Sequence, residues 1–312
     1  MSAQQPGLRH GPDRQDFYGW AGPRPRVQVG GRVFEMPVFH HRVSGFFSVH
    51  LARYDAVAAL LPSGAIQPLR WFDGRAAVEI LALRHDEVTA LVDGAPVRLA
   101  PYGEVLVGAL AARHAMPAGV AMMASEHFSV GAFVLDMPAT TAESRELGRQ
   151  GFGLPKFVAD MDFVDGPSEQ RVTLSEEGTP ILDLAVRPGG RMVRVRRPWV
   201  MYSSREGELL ETTMPVVGHR RGRTGHKGAH LVLGDHPVAE RLRDLDLHTD
   251  ALASADYVNL RLVLPAGVPI GQARAYVGHP GTERDRGRFT VDYAGTGPID
   301  QYAPAAGVLH VG

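Results

Sequence analysis

The chain has 312 residues, with 33 Lys+Arg against 34 Asp+Glu and a net charge of −1. That balance excludes the electrostatic attraction that drives binding to nucleic acid or to an anionic membrane. No cysteine is present, which excludes disulfides, thiolate metal sites and a thiol nucleophile. Composition is that of an ordinary globular domain, 44% hydrophobic and 21% charged. No run reaches the roughly 18 apolar residues of a membrane span, and the start, MSAQQPGLRHGPDRQ, has no apolar signal region. The expectation is one cytoplasmic domain over residues 1–312, with a core over 32–270 and loop-rich N- and C-terminal extensions.

Strand signals dominate in chain order. RVQVGGRVFEMPVF holds two alternating runs around a Gly-Gly turn. FFSVHLA, AAVEILAL, GEVLVGALAA and FSVGAFVLDM follow, then FVADMDFV, QRVTL, RMVRVRR, AHLVLG and YVNLRLVLP. Turn residues separate them at fairly even intervals, which predicts antiparallel strands rather than βαβ units. Three helices interrupt them. YDAVAALLP stops at Pro62. TTAESRELGRQ opens with Thr140 and Glu143 at capping-box spacing. DHPVAERLRDLDL places Pro237 in its first turn and Val238, Leu242 and Leu245 on one face.

The stretch GRQGFGLPKF, Gly148 to Phe157, carries one of only two lysines in the chain, Lys156; the other is Lys227. Pro155 has a fixed φ and biases Leu154 to an extended conformation, so Lys156 leaves the turn with little backbone freedom. In KFVADMDF, alternation puts Lys156, Val158, Asp160 and Asp162 on one face, and Phe157, Ala159, Met161 and Phe163 on the other. Elsewhere, adjacent His40 and His41 point to opposite faces of a strand, and no HxH or HExxH spacing occurs, so no metal is expected. GHRRGRTGHKGAH reads as a mobile basic loop without the interleaved aromatics of a nucleic-acid surface.

The Gly148-Arg149-Gln150, Gly151-Phe152-Gly153-Leu154, Pro155-Lys156 pattern resembles the signature of the acetoacetate decarboxylase superfamily. The order of FFSVHLARYDAVAALLP, AAVEILALRHDEV, PYGEVLVGALA and AHLVLGDHPVAERLRDLDL is similar too, so the likeness spans Arg42 to the closing strand. It implies an α+β, mostly antiparallel fold, a cone-shaped β-barrel or sandwich with a few helices. It implies that Lys156 forms a Schiff base with a ketone, which requires loss of the proton that an ordinary lysine holds to a pKa of about 10. It further implies Glu104 as a catalytic carboxylate, Glu79 as lining the site, and Arg42 (or its competitor Arg32) against a substrate carboxylate.

Two positions depart from the family pattern. Phe157 replaces a second lysine, and Gln150 replaces a helix-end glutamate that is expected to meet the substrate. Both favour imine chemistry other than simple decarboxylation. The chain resembles the branch that dehydrates and cyclises 4-hydroxy-2-oxo-arginine to 2-ketoenduracididine for nonribosomal peptide antibiotics in lacking the second lysine and in carrying extra terminal segments. On that likeness Glu283, in the C-terminal extension, is an added acid/base. Decarboxylation of a β-keto acid, an imine-based aldolase or dehydratase on pyruvate and an aldehyde, and a non-catalytic binding barrel remain as alternatives. A small 2-oxo acid as substrate, no cofactor, and a homo-oligomer complete the expectation.

Overall fold

The computed structural model describes residues 18–20, 22–71, 73–115, 117, 120, 130–195 and 197–282. Glu283 lies outside them. The Gly-Gly turn joins β1 (Arg26–Val29) to β2 (Arg32–Ala52), with Gly30 and Gly31 at φ 55 and 82°. Both values are left-handed, which is what a tight hairpin demands of its two central residues. The runs expected as separate strands on either side of His40 are one long strand, β2.

That strand is central to a large sheet that also holds β3 (Gln67–Pro68), β4 (Ala76–Val92), β5 (Ala95–Leu99), β6 (Tyr102–Ala112) and β7 (Gly131–Asp136). Its later members are β11 (Val193–Val195), β12 (Trp199–Arg205), β13 (Glu208–Met214), β14 (Val216–Thr224), β16 (Ala251–Leu264) and β17 (Val268–Gln272). The order is β11-β14-β16-β2-β4-β6-β7-β12-β13-β17, with β1, β3 and β5 on side branches. Every pairing is antiparallel except β7 with β12. The described ends of the path, β11 and β17, do not pair with each other, so the sheet stays open. A second, four-stranded sheet runs β15 (Ala229–Leu233), β10 (Thr179–Val186), β9 (Gln170–Glu176), β8 (Asp160–Asp165).

β14 corrects one expectation: the basic stretch is not a mobile loop. Its residues to Thr224 pair with β16, and Arg221 donates twice to the buried Asp256 carboxylate, at 2.6 and 3.0 Å. With Arg220 on one face and Arg221 and Arg223 on the other, the strand shows no apolar alternation.

The three expected helices form as α1 (Tyr54–Leu60), α2 (Ala142–Glu146) and α3 (Pro237–Asp244). Thr141, not Thr140, caps α2, its hydroxyl accepting the Ser144 N–H. α2 runs on into a π-helical turn, Leu147–Gly151. Two apolar cores result, one on each face of the large sheet. One holds Phe47, Leu81, Leu106, Phe152 and Leu154. The other holds Phe46, Ile80, Val107, Phe157 and the α3 residues Val238 and Leu242. Lys156 and Phe157 thus point to opposite cores, as alternation requires, although β8 begins only at Asp160.

Candidate active site

Lys156 sits in an extended segment laid against residues 137–139. Met137 N–H donates to the Pro155 carbonyl and Ala139 N–H to that of Phe157. Ala139 in turn bridges to Glu104 on β6 and to Val158. This three-ply pairing places Lys156 opposite Glu104, 52 residues away. The preceding turn is equally fixed. Ser203 Oγ donates to the Phe152 carbonyl (2.6 Å) and Arg205 to that of Gly151 (2.7 Å). Gly153 has φ 64°, and a Cβ there would lie 2.5 Å from the Ser204 carbonyl oxygen.

The Lys156 amine is buried, its residue 4% exposed. Nζ donates to Glu104 Oε2 (2.6 Å) and Ser144 Oγ (2.9 Å) and lies 5.5 Å from the Tyr102 ring centre. Burial alone would push the Glu104 carboxyl up. The Lys156 ammonium and His85 outweigh it and hold the carboxyl well below the usual range. Glu104 Oε1 meets His85 Nε2 at 3.0 Å, and His85 Nδ1 meets His40 Nδ1 at 2.8 Å. His40 Nε2 is buried with no hydrogen-bond partner. Desolvation lowers the His40 pKa well below the ordinary histidine value, so this ring is neutral.

Lys156, Ser144, Tyr102 and His40 border a small cavity of about 30 Å³, room for roughly two waters. Val38, Leu147, Phe152 and Leu154 make its apolar wall; Lys156, His40, Tyr102 and Glu143 bring the polar atoms. Its described lining includes no arginine. Burial pushes the Glu143 carboxyl up to about 7, and its Oε1 has no partner.

The other expected site residues lie elsewhere. Arg42 is exposed and ion-pairs with Asp86 at 3.4 Å. The reason is a pair of register shifts in β2, between His40 and Arg42 and between Arg42 and Val43. Before them the even residues Phe34, Met36 and Val38 face the core beside the cavity; after them the odd residues Val43, Phe47 and Val49 do. One bulge reverses which face each side chain takes. Arg32 ion-pairs with Asp93 near the β1–β2 hairpin. Gln150 is exposed and donates to Glu146 Oε2 at 2.6 Å. The π-helical turn spends an extra residue and rotates Gln150 away from the cavity.

Glu79 shares the inner face with Glu104 but stands in the row of Val49 and Gly108, whereas Glu104 pairs with Leu83. Four residues of β4 separate those rows, about 13 Å. Desolvation raises its carboxyl to about 7, with Tyr257 as an ionisable neighbour. The folded group thus keeps its proton far above the ordinary value of 4.5. Its stabilisation is complete below that value and is lost as pH rises through 7. Glu79→Gln is expected to flatten this loss and to raise stability at pH 8 by about 2–3 kcal/mol. Urea unfolding at pH 5 and pH 8 measures it; an unaltered pH dependence in the variant would mean that the carboxylate ionises freely.

A second polar cluster lies behind Phe157. His236 Nε2 and His279 Nε2 each approach Glu176 Oε2 at 2.8 Å, and Thr282 N–H donates to Oε1 at 3.1 Å. The three ligand-type atoms lie within 4.8 Å of one another, a grouping that no local spacing announced. His236 Nδ1 accepts the Val238 N–H, so its proton sits on Nε2 and faces Glu176. In that tautomer the ring offers the cluster an N–H rather than a metal-binding lone pair. The trio clasps residues 279–282 to β9 and to the start of α3.

The fold and the buried lysine–glutamate pair define an antiparallel β protein with a masked amine at the edge of a small pocket. The chain belongs to the acetoacetate decarboxylase family, whose model, described as acetoacetate decarboxylase (ADC), matches residues 25–270. Among solved structures it is similar to acetoacetate decarboxylase from Legionella pneumophila, with 15% identity, TM-score 0.58, and coverage of 87% of this chain and 99% of that one. An acetoacetate decarboxylase-like enzyme from Sphingomonas wittichii RW1 shares 16% identity at TM-score 0.51, covering 76% and 93%. The enduracididine biosynthesis enzyme MppR, complexed with the condensation product of pyruvate and imidazole 4-carboxaldehyde, shares 13% identity at TM-score 0.51, covering 86% and 98%. No curated protein matches the chain. Among the described residues, no helix is long and apolar enough to cross a membrane.

Sequence reasoning missed His40, His85, Ser144 and Glu143. Ser144 and Glu143 follow from the cap at Thr141. The two histidines are joined only by the bulged register of β2 on β4.

Proposed function

We propose that this protein is a lysine Schiff-base lyase acting on a small 2-oxo acid. One observation carries the reading: the buried Lys156 amine, held by Glu104 and Ser144 where a ketone entering the cavity would meet it. Resting Lys156 is an ammonium paired with a carboxylate, so a proton must leave before attack. Glu104 is the group placed to take it. Attack on C2 and loss of water give an iminium whose counter-ion is again Glu104. The iminium accepts the electron pair of whichever bond to C3 breaks, which becomes the C2=C3 bond of an enamine.

The finer reading is dehydration and cyclisation of 4-hydroxy-2-oxo-arginine to 2-ketoenduracididine. The fold likeness to MppR and the apolar Phe157 support it. A guanidinium substrate needs a carboxylate partner, and Glu143 is the one at the cavity wall. The test is incubation with pyruvate and cyanoborohydride followed by intact and peptide mass analysis. A reduced pyruvate adduct on Lys156, absent in Lys156→Ala, is expected. A folded wild-type protein with no adduct would defeat the Schiff-base reading. Release of CO₂ from acetoacetate, without turnover of the hydroxy-oxo acid, would defeat the finer one.

A further inference from the structure

We propose that His40, His85 and Glu104 form a proton relay, in which His40 Nε2 takes the C3 proton of the Lys156-bound substrate and the far end of the chain delivers a proton to Glu104. The inference rests on the Schiff-base reading above and assigns the base that this reading leaves open.

The hydrogen bonds, with one proton on each imidazole, give the direction. Glu104 faces Lys156 as a carboxylate, so it accepts on both oxygens. His85 Nε2 therefore carries a proton. In the proposed relay each imidazole holds one proton, so His85 accepts at Nδ1 and His40 Nδ1, 2.8 Å away, donates. That leaves the His40 lone pair on Nε2, an atom with no partner on a residue that lines the cavity. Glu104 is poorly suited to reach C3 itself, because Lys156 and His85 occupy both its oxygens.

The step balances. The C3–H bond breaks and its proton joins His40 Nε2. His40 passes its Nδ1 proton to His85 Nδ1, and His85 passes its Nε2 proton to Glu104 Oε1. The C3–H electron pair becomes the C2=C3 bond of the enamine, and the iminium π pair returns to nitrogen. An iminium–carboxylate pair becomes a neutral enamine beside a neutral carboxylic acid. No imidazolium has to persist in the buried pocket, where an unpaired charge is strongly disfavoured. Run in reverse, the chain delivers a proton to C3.

The test compares two readouts on pyruvate in D₂O: deuterium exchange at C3 by NMR, and imine trapping by cyanoborohydride. His40→Gln and His40→Phe are expected to keep trapping and to lose exchange by about 100-fold or more, the scale of a general base. A merely structural role would move both readouts together. Retained exchange in variants that still trap would overturn the relay and leave the Schiff base standing. Absent trapping in the wild type would overturn both. If the variants fail to fold, long-range ¹H–¹⁵N spectra of wild-type histidines decide instead: His40 is expected as the Nδ1–H tautomer, and an Nε2–H tautomer would overturn the relay.

Discussion

Gly148→Ala is expected to cut the rate of imine formation at Lys156 by about 100-fold, the scale of misplacing a reacting group by an ångström, while the protein still folds. A Cβ at Gly148 would stand 2.5 Å from Lys156 Cδ and 2.9 Å from Cε. Real contacts of this kind do not occur, so one side must yield. Gly148 lies in the π-helical turn, whose neighbours are tied to β12 through Ser203 and Arg205. The lysine side chain is the softer partner. It would swing off the line that brings Nζ to 2.6 Å from Glu104 and 2.9 Å from Ser144. Backbone strain is not the cause, since Gly148 has no positive φ. Pyruvate trapping rates, with thermal melts as the fold control, measure the effect. Trapping at the wild-type rate would mean that the lysine position is not set by this glycine.

The same segment illustrates what a sequence discloses. The fixed direction of Lys156 was legible because its constraint is local: Pro155 sets the backbone as the chain leaves the glycine-rich turn. The antiparallel class was legible from alternation bounded by turn residues. Arg42 was expected in the site only through the resemblance, and a bulge in β2 that no residue type marks turns it outward. The residues on either side, Phe39, His40, His41 and Val43, are good strand formers in either register. Gln150 was likewise expected there through the family signature, and a π turn, which has no sequence signature, sets it on the exposed side. His40 and His85 were invisible as a pair because their contact depends on that same shifted register. The site therefore emerged through its most constrained residue, while its electrostatic partners waited on the β2–β4 pairing.

Phe157 stands where the family pattern has a second lysine, and Phe157→Lys is expected to destabilise the protein by about 3–5 kcal/mol without conferring decarboxylation. Phe157 is fully buried in the core opposite the cavity. Its ring meets His279 edge-on at 4.7 Å and lies 6.3 Å from His236, nearly parallel to it. Removing the ring forfeits that packing, and an ammonium in its place must be desolvated. A carboxylate, Glu176, does lie behind the two imidazoles, but it already accepts from both rings and from Thr282. A lysine there would have to displace one of them and open the clasp on residues 279–282. Nor would its charge lie along the Lys156 chain, since alternation sends residue 157 to the other core. Thermal or urea unfolding and CO₂ release from acetoacetate measure the two arms. A Phe157→Lys protein of wild-type stability that decarboxylates acetoacetate would show that one substitution separates this chain from the family reaction. The packing around Phe157 argues that the departure has been built into the core, and that the electrostatics around Lys156 now depend on Glu104 and the histidines behind it.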